Sequence, residues 1–391
     1  MKDEKEVLKT IDADRLAGNI WRLVSIPSPT GREKQAALAF AGMLAEAGAE
    51  VELDESISES PNVIGRLRGS GSGKTVQLAG HIDHIHDPHP APQRKDNIIS
   101  GRGSADMKGG LAGILEIVRV LKETGCDFPG QLLVTVFGLH EMPWGSRQGL
   151  KNLINSGIKG DAAIVAESFD NLAVVAGKGQ CVWDIVLRRR GEVCHELVCP
   201  PKAADLLGAM QSVLAVLRNT AQKLSRGVDH PLLGSGSLFI GQIHYGDFYN
   251  RAPNECRLQG TRRWLPGASF AQMKAEFDDL LNRMPPFEGI ARECSCALSG
   301  EAYQVDTREP VIQSQIRSYK TVTGKDLEVG GTSVVTDACR LVNLGDVPTA
   351  VWGFDTETAH SDHEFVRIDR VCEACRIVLL TVLDYLNVVS R

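Results

Sequence analysis

The sequence has no apolar run that approaches the ~18 residues a membrane-crossing helix needs. It also has no basic tract, and its formal net charge is -6. Together these exclude a nucleic-acid or membrane-surface partner. The opening MKDEKEVLKTIDADR is charged and carries no apolar core, so it does not read as a secretory signal. A phosphate loop is missing too. The tract GSGSGKT ends as one would, in Gly73-Lys74-Thr75, but Arg68 stands where the first glycine belongs, and a strand rather than a helix follows. That tract is expected to be a hairpin turn. GRGSADMKGG, from Gly101, lacks the G-x-G-x-x-G of a dinucleotide site. What remains is a soluble cytoplasmic protein that handles small molecules.

Ten cysteines are present, irregularly spaced. Cys194 and Cys199 flank His195, and Cys372 and Cys375 lie three apart in an apolar helical pattern. Cys294 and Cys296 form a C-x-C without a second ligand pair of good spacing. The expected state is reduced, mostly buried thiols. A structural zinc on Cys294 and Cys296 is the sharper alternative.

The 391 residues and 43% apolar content suit two globular domains. Apolar periodicity predicts helices over Ala13–Val24, about 32–47, around Leu111–Leu121 and over 150–156. Strands are expected over 51–53, 62–67, 76–78, 131–137 and 162–165. This alternation indicates a layered α/β sheet. The pattern changes after Lys178. A strand over 181–187, a helix near 203–219, strands near 237–244 and 256–263, and a helix over 270–284 suggest a ferredoxin-like α+β insert. The chain then returns through GGTSVVTDAC, a strand over 349–352 and a helix over 371–386. The expected domains are 1–178 and 294–391 for a catalytic unit, interrupted by 179–293.

Four phrases carry chemistry: GHIDH (Gly80–His84), GRGSADMKGG, DAAIVAES (Asp161–Ser168) and AHSDHEFV (Ala359–Val366). Hydrolysing an amide at neutral pH needs an activated water, a polarised carbonyl and a proton carrier. Two divalent ions about 3.5–4 Å apart can supply the first two. His81 ends a strand, and Asp83, two residues on, lies on the same side, where it can fix the imidazole's tautomer. His84, His86 and His89 read as a polar loop at a cleft mouth, with an accessory ligand among them possible. Asp106 precedes a helix, and a carboxylate there can bridge two cations, with Gly109 and Gly110 letting the backbone pass close.

Taken together, these motifs resemble the zinc-dependent acetylornithine deacetylase, succinyl-diaminopimelate desuccinylase and glutamate carboxypeptidase family of metallopeptidases. The likeness covers nearly the whole chain, including YGDFYNRAPNECRLQGTRRWLPG in the insert. It implies a mixed-sheet α/β zinc-peptidase domain interrupted by a ferredoxin-like dimerisation (lid) domain. It further implies a dinuclear site in which His81 and Glu167 hold one ion, His360 the other, and Asp106 bridges. Zinc suits that ligand set, two ions or one, and Co2+ or Mn2+ also fit. His195 would meet the oxyanion in the other subunit of a homodimer. Asn250, Arg263 and the backbone at Gly330, Gly331 and Thr332 would bind substrate. Here the pattern departs from the family, which usually has two adjacent glutamates after strand 131–137. This chain has His140-Glu141-Met142. Aligned forward from Phe137, Glu141 is the general base; aligned back from Gly145-Ser146-Arg147, Glu141 is a ligand and His140 the base. The first is the preferred reading, with Asp83 supporting His81 and with water or His140 replacing the ligand lost at Met142. The implied function is hydrolysis of an N-acyl amino acid or small peptide. An amide-forming enzyme and a non-catalytic binding homologue are the alternatives.

Overall fold

The computed structural model describes residues 4–167, 172–199, 204–284, 286–355 and 357–389. The chain divides into two compact units. One comprises Met1–Val175, Gln304–Gly331 and Thr336–Arg391; the other comprises Ala176–Tyr303 and Thr332–Val335.

The first unit is built on a six-stranded mixed sheet, in the order Glu50–Asp54, Asn62–Arg68, Pro129–Phe137, Ser70–His81, Ala162–Val165 and Thr349–Val351. The last four run parallel, with His81 opposite Phe137 and Val351 opposite Val165. Parallel strands need both faces covered, and residues 132–137 and 162–165 are accordingly buried throughout. Helices Ala13–Val24, Gly109–Thr124, Pro310–Thr323 and Ile368–Val389 supply the cover, packing on one another and on the sheet. Ala13–Val24 starts where Asp12 accepts from the N–H groups of Asp14 and Arg15, and it buries Leu16, Ile20, Leu23 and Val24.

The expected hairpin at GSGSGKT does not form. Strand Pro129–Phe137 lies between Asn62–Arg68 and Ser70–His81, and the glycine tract is the irregular start of the latter, with a register shift between Ser70 and Thr75. Gly71, at φ +70°, has the freedom this slip needs. A three-stranded sheet that periodicity did not reveal joins Gln93–Lys95, Ile98–Ser100 and Phe365–Arg367. Pairing Phe365 with Ser100 brings the chain around 364 against the chain around 101–106.

The second unit holds a four-stranded antiparallel sheet in the order Ser237–Tyr245, Glu255–Trp264, Gly179–Arg189 and Ile290–Gly300. With helices Leu206–Ser225 and Phe270–Asn282 this is the ferredoxin-like order. Ala203, where the first helix was expected to start, lies outside the described residues. Trp183, Ile185, Leu187, Val213, Leu217, Leu258 and Phe277 form the core. The expected boundary after Glu293 falls inside strand Ile290–Gly300, and the unit runs on to Tyr303. That strand alternates half-buried and exposed residues until its end, so its apolar signal is weak. The described cysteines are all free thiols, with Cys181, Cys256, Cys339, Cys372 and Cys375 buried and the others half-buried. Among the described residues no helix is long and apolar enough to cross a membrane.

Candidate metal centre

Ligands in parallel α/β sheets collect beyond the carboxyl ends of the strands, and so do this unit's acids and imidazoles. His81 ends its strand. His140 and Glu141 follow Phe137, Glu167 follows Val165, and His360 comes in the segment after Val351. Asp106 arrives from the chain before helix Gly109–Thr124. A Cβ on Gly110 would sit 2.8 Å from the Ala166 carbonyl oxygen, so glycine is what allows this close pass.

Asp106 stands between two imidazoles. Its Oδ1 is 3.0 Å from His81 Nε2 and its Oδ2 is 3.0 Å from His360 Nε2. Glu141 Oε1 lies 2.9 Å from the same His360 nitrogen. His140 stacks on His81, with ring centroids 3.9 Å apart and planes at 8°. Its Nδ1 is 2.9 Å from Asp337 Oδ2, and its Nε2 is 3.6 Å from Glu167 Oε1. A carboxylate can only accept, so His140 carries its proton on Nδ1 and points the Nε2 lone pair toward Glu167. Two groups of donor atoms therefore lie within 4.8 Å of one another: those of His81, His140 and Glu167, and those of His81, Asp106 and Glu141.

Around these sits a rigid frame. Asp83 was expected to meet His81 through its carboxylate. Its backbone carbonyl is nearer, 3.1 Å from Nδ1, with the carboxylate Oδ1 3.6 Å away. The Asp83 carboxylate mainly organises the next corner, accepting from Thr30 Oγ1 and from the N–H groups of His140 and Glu141 at 2.9–3.0 Å. Glu33, also buried, accepts from the Leu139 N–H at 2.9 Å. Glu364 accepts from the N–H groups of Gly103, Ala105 and Asp106 and pairs with Arg102, which also holds the Ser361 carbonyl. That arrangement fixes Asp106 and the loop carrying His360, whose φ of 61° is costly outside glycine.

The proton distribution shows what the cluster is short of. Burial alone would raise the Asp106 carboxyl, but hydrogen bonds from His360 and His81 hold it well below the usual range. The His360 imidazole is raised to about 10, chiefly by Asp106 and then Glu141. His81 is raised well above its usual value because Asp106 and Asp83 outweigh its burial. Burial and then the nearby charge of Asp337 push Glu167 up to about 7. Protons thus balance a buried excess of carboxylates. Divalent cations bind the deprotonated forms of such ligands and release those protons, and imidazole and carboxylate donors suit zinc, cobalt or manganese. The residues fit a metal centre.

The loop histidines are engaged elsewhere. His84 Nε2 accepts from the Ser28 N–H at 3.0 Å while its Nδ1 donates to the Ile85 carbonyl at 2.7 Å. Burial pushes it down to about 4, so it is a neutral structural residue with neither nitrogen available as an accessory ligand. His86 meets the Thr30 carbonyl, and His89 accepts from the Glu364 N–H. Asp337 and Glu364 are among the site residues that motif reading did not assign. Both lie inside quoted phrases, TDAC and AHSDHE, and an acid directly before a helix or beside a ligand was the signal.

In the second unit, His195 and Asn250 are brought together. His195 Nε2 is 3.0 Å from the Asn250 side-chain amide, and its Nδ1 accepts from the Leu197 N–H at 3.2 Å. Both ring nitrogens therefore face donors, since the Asn250 atom against Nε2 is its amide nitrogen Nδ2. Both residues belong to the short pairing of Cys194–His195 with Arg251–Ala252, directly or next to it. The Arg263 guanidinium donates to the Ser333 carbonyl. Gly331 belongs to the first unit and lies half-buried in strand Glu328–Thr332.

Comparison with known proteins gives the family. Residues 77–384 match the model of peptidase family M20/M25/M40. An N-formyl-4-amino-5-aminomethyl-2-methylpyrimidine deformylase of Bacillus subtilis is 26% identical over 92% of this chain and 91% of its own length. An acetylornithine deacetylase of Aliivibrio salmonicida is 28% identical over 82% and 83%. A family M20 metallo-carboxypeptidase from Sulfolobus solfataricus superposes with a TM-score of 0.79 at 14% identity, covering 95% of this chain and 99% of that one.

Proposed function

This chain belongs to peptidase family M20/M25/M40 and is a metal-dependent hydrolase of carbon–nitrogen amide bonds; from that premise we propose which residues do the work and on what. The substrate is a small N-acylated amine, amino acid or peptide, with N-formyl and N-acetyl compounds first in view because the relatives are named for them. One observation carries the assignment: His81, Asp106, Glu141, Glu167 and His360 converge from five separate stretches of chain.

His81, Asp106, Glu141, Glu167 and His360 would hold two zinc ions. Bound divalent cations supply carbonyl polarisation and an acidified water. Glu141 falls with His360 and Asp106, which supports the reading of it as a ligand over the reading of it as the base. His140, backed by Asp337, is then the proton carrier. Its Nε2 takes a proton from water and returns it to the leaving amine, and Asp337 holds the ring in the tautomer this needs. His195 donates from Nε2 to the developing oxyanion of a partner subunit once that nitrogen is protonated and released from the Asn250 amide. The dimer forms through the second unit, where edge strand Ser237–Tyr245 exposes Phe239 and Ile243. Asn250, Arg263 and Gly331 bind substrate, Arg263 where it bears a carboxylate. The enzyme works in the cytoplasm.

The test is a panel of N-formyl, N-acetyl and N-succinyl amines, amino acids and dipeptides, assayed with metal content. The expected outcome is cleavage that chelation abolishes and Zn2+, Co2+ or Mn2+ restores. Metal bound with no amide cleaved would make the protein a binding homologue. Net amide formation from free amine and acid would reverse the direction. Glu141→Gln is expected to lower metal content; full metal with lost turnover would make Glu141 the base instead.

A further inference from the structure

An aromatic ring follows the corner where the motif departs from the family. His140-Glu141-Met142 runs on into Pro143 and Trp144. Trp144 is 44% exposed, and its ring lies on the His86 imidazole, centroids 4.4 Å apart and planes within 2° of parallel. Single exposed aromatics are ordinary. This one is a fixed surface. The turn it tops is closed by Gly145 N–H to the Glu141 carbonyl at 2.6 Å and Arg147 N–H to the Leu139 carbonyl at 2.7 Å. His86 is anchored by Nε2 to the Thr30 carbonyl at 2.9 Å. The Thr30 hydroxyl donates to Asp83, the same carboxylate that accepts from the His140 and Glu141 N–H groups. The stack and the irregular corner of the metal centre are thus two ends of one hydrogen-bond network. Trp144 sits one turn from Glu141.

We infer that the Trp144–His86 stack is a recognition platform that selects amide substrates carrying a flat aromatic or heteroaromatic ring. A preformed indole face offers such a ring broad contact at small entropic cost. A saturated ring of the same size presents puckered edges and gains less. The inference rests on the amide-hydrolase reading and narrows its substrate class.

The experiment compares N-formylbenzylamine with N-formyl-cyclohexylmethylamine on the metal-loaded enzyme, in wild type, Trp144→Phe and Trp144→Ala. Wild type is expected to favour the flat substrate. Trp144→Ala should lose about tenfold in kcat/KM on it, mostly through KM, and under about twofold on the saturated one. Trp144→Phe should recover most of the loss, which separates lost stacking from a damaged corner. Equal losses on both substrates, or none, would overturn the platform. A second readout does not need turnover. Titration with 4-nitrobenzylamine should quench indole emission in wild type, and Trp144→Phe should remove that quench, with cyclohexylmethylamine silent in both. If no amide on any panel is cleaved but this quench is seen, the platform stands and the hydrolase reading fails. If amides are cleaved without flat-ring preference and without quench, the reverse holds.

Discussion

The two units place their candidate chemistry in opposite settings. In the first, His81, Asp106, Glu141 and Glu167 are buried or nearly so, with His360 the exposed member, and a further layer (Asp83, Glu33, Asp337, Glu364, Arg102) holds them by hydrogen bonds. In the second, His195 is exposed, Asn250 is half-buried, and they meet each other across a two-residue strand pairing. A buried, many-partnered group is fixed before any ligand arrives. A partly exposed pair with few partners is free to serve whatever surface comes to it. The first setting suits groups that must hold cations against their own repulsion. The second suits a donor delivered to a site completed by another subunit.

That contrast is broken most severely at its centre. Asp106→Ala removes the carboxylate between His81 and His360. The expected outcome is loss of bound metal and turnover at background, read by metal analysis of the purified protein alongside the amide assay. Full metal occupancy would contradict a bridging role.

The exposed side gives the next largest effect. His195→Ala should lower kcat by about 10²–10³-fold, the usual cost of one oxyanion donor. Metal content and thermal stability should not move, because the ring contacts only Leu197 and Asn250 among the interactions described. Mixing His195→Ala with an Asp106→Ala chain sharpens the point. If the histidine acts across subunits, heterodimers regain one intact site, and activity should return. Unchanged kinetics in His195→Ala would remove it from the mechanism.

Asp337→Asn probes the layer behind the ligands. Lost support of a site histidine costs about 10–100-fold in activity or metal affinity. With His140 as proton carrier the loss should fall on kcat, and the pH–rate profile should change shape. A fall in metal affinity with an unaltered profile would make His140 a ligand.

The sequence made the first setting legible and the second much less so. His81, Asp106, Glu167 and His360 each sit in a short phrase whose neighbours have a physical reason to be there: a strand end, a glycine pair, a buried strand. The supporting layer was harder to read. Asp337 follows an extended GGTSVVT stretch, and its partner His140 lies 197 residues away in sequence. Glu364 meets the Asp106 loop only because Phe365–Arg367 pairs with Ile98–Ser100, two strands of three residues each. Periodicity cannot signal strands so short. The hairpin expected at GSGSGKT failed for a related reason: turn chemistry tells where a chain can bend, and the intervening partner strand came from 129–137.

The smallest predicted effect asks whether the two settings are also two stabilities. Helix Phe270–Asn282 of the second unit begins in a capping box, with Ser269 accepting from the Gln272 N–H and Gln272 reaching back to the Ser269 N–H. Ser269→Ala should destabilise that unit by about 1 kcal/mol. The metal centre belongs wholly to the first unit, so added Zn2+ should stabilise that unit alone by mass action. In a thermal scan, Ser269→Ala should lower the transition that Zn2+ leaves in place, with metal affinity unchanged. A single transition that both perturbations shift would mean that the units unfold as one body, and that the exposed histidine and the buried centre share one stability despite their different surroundings.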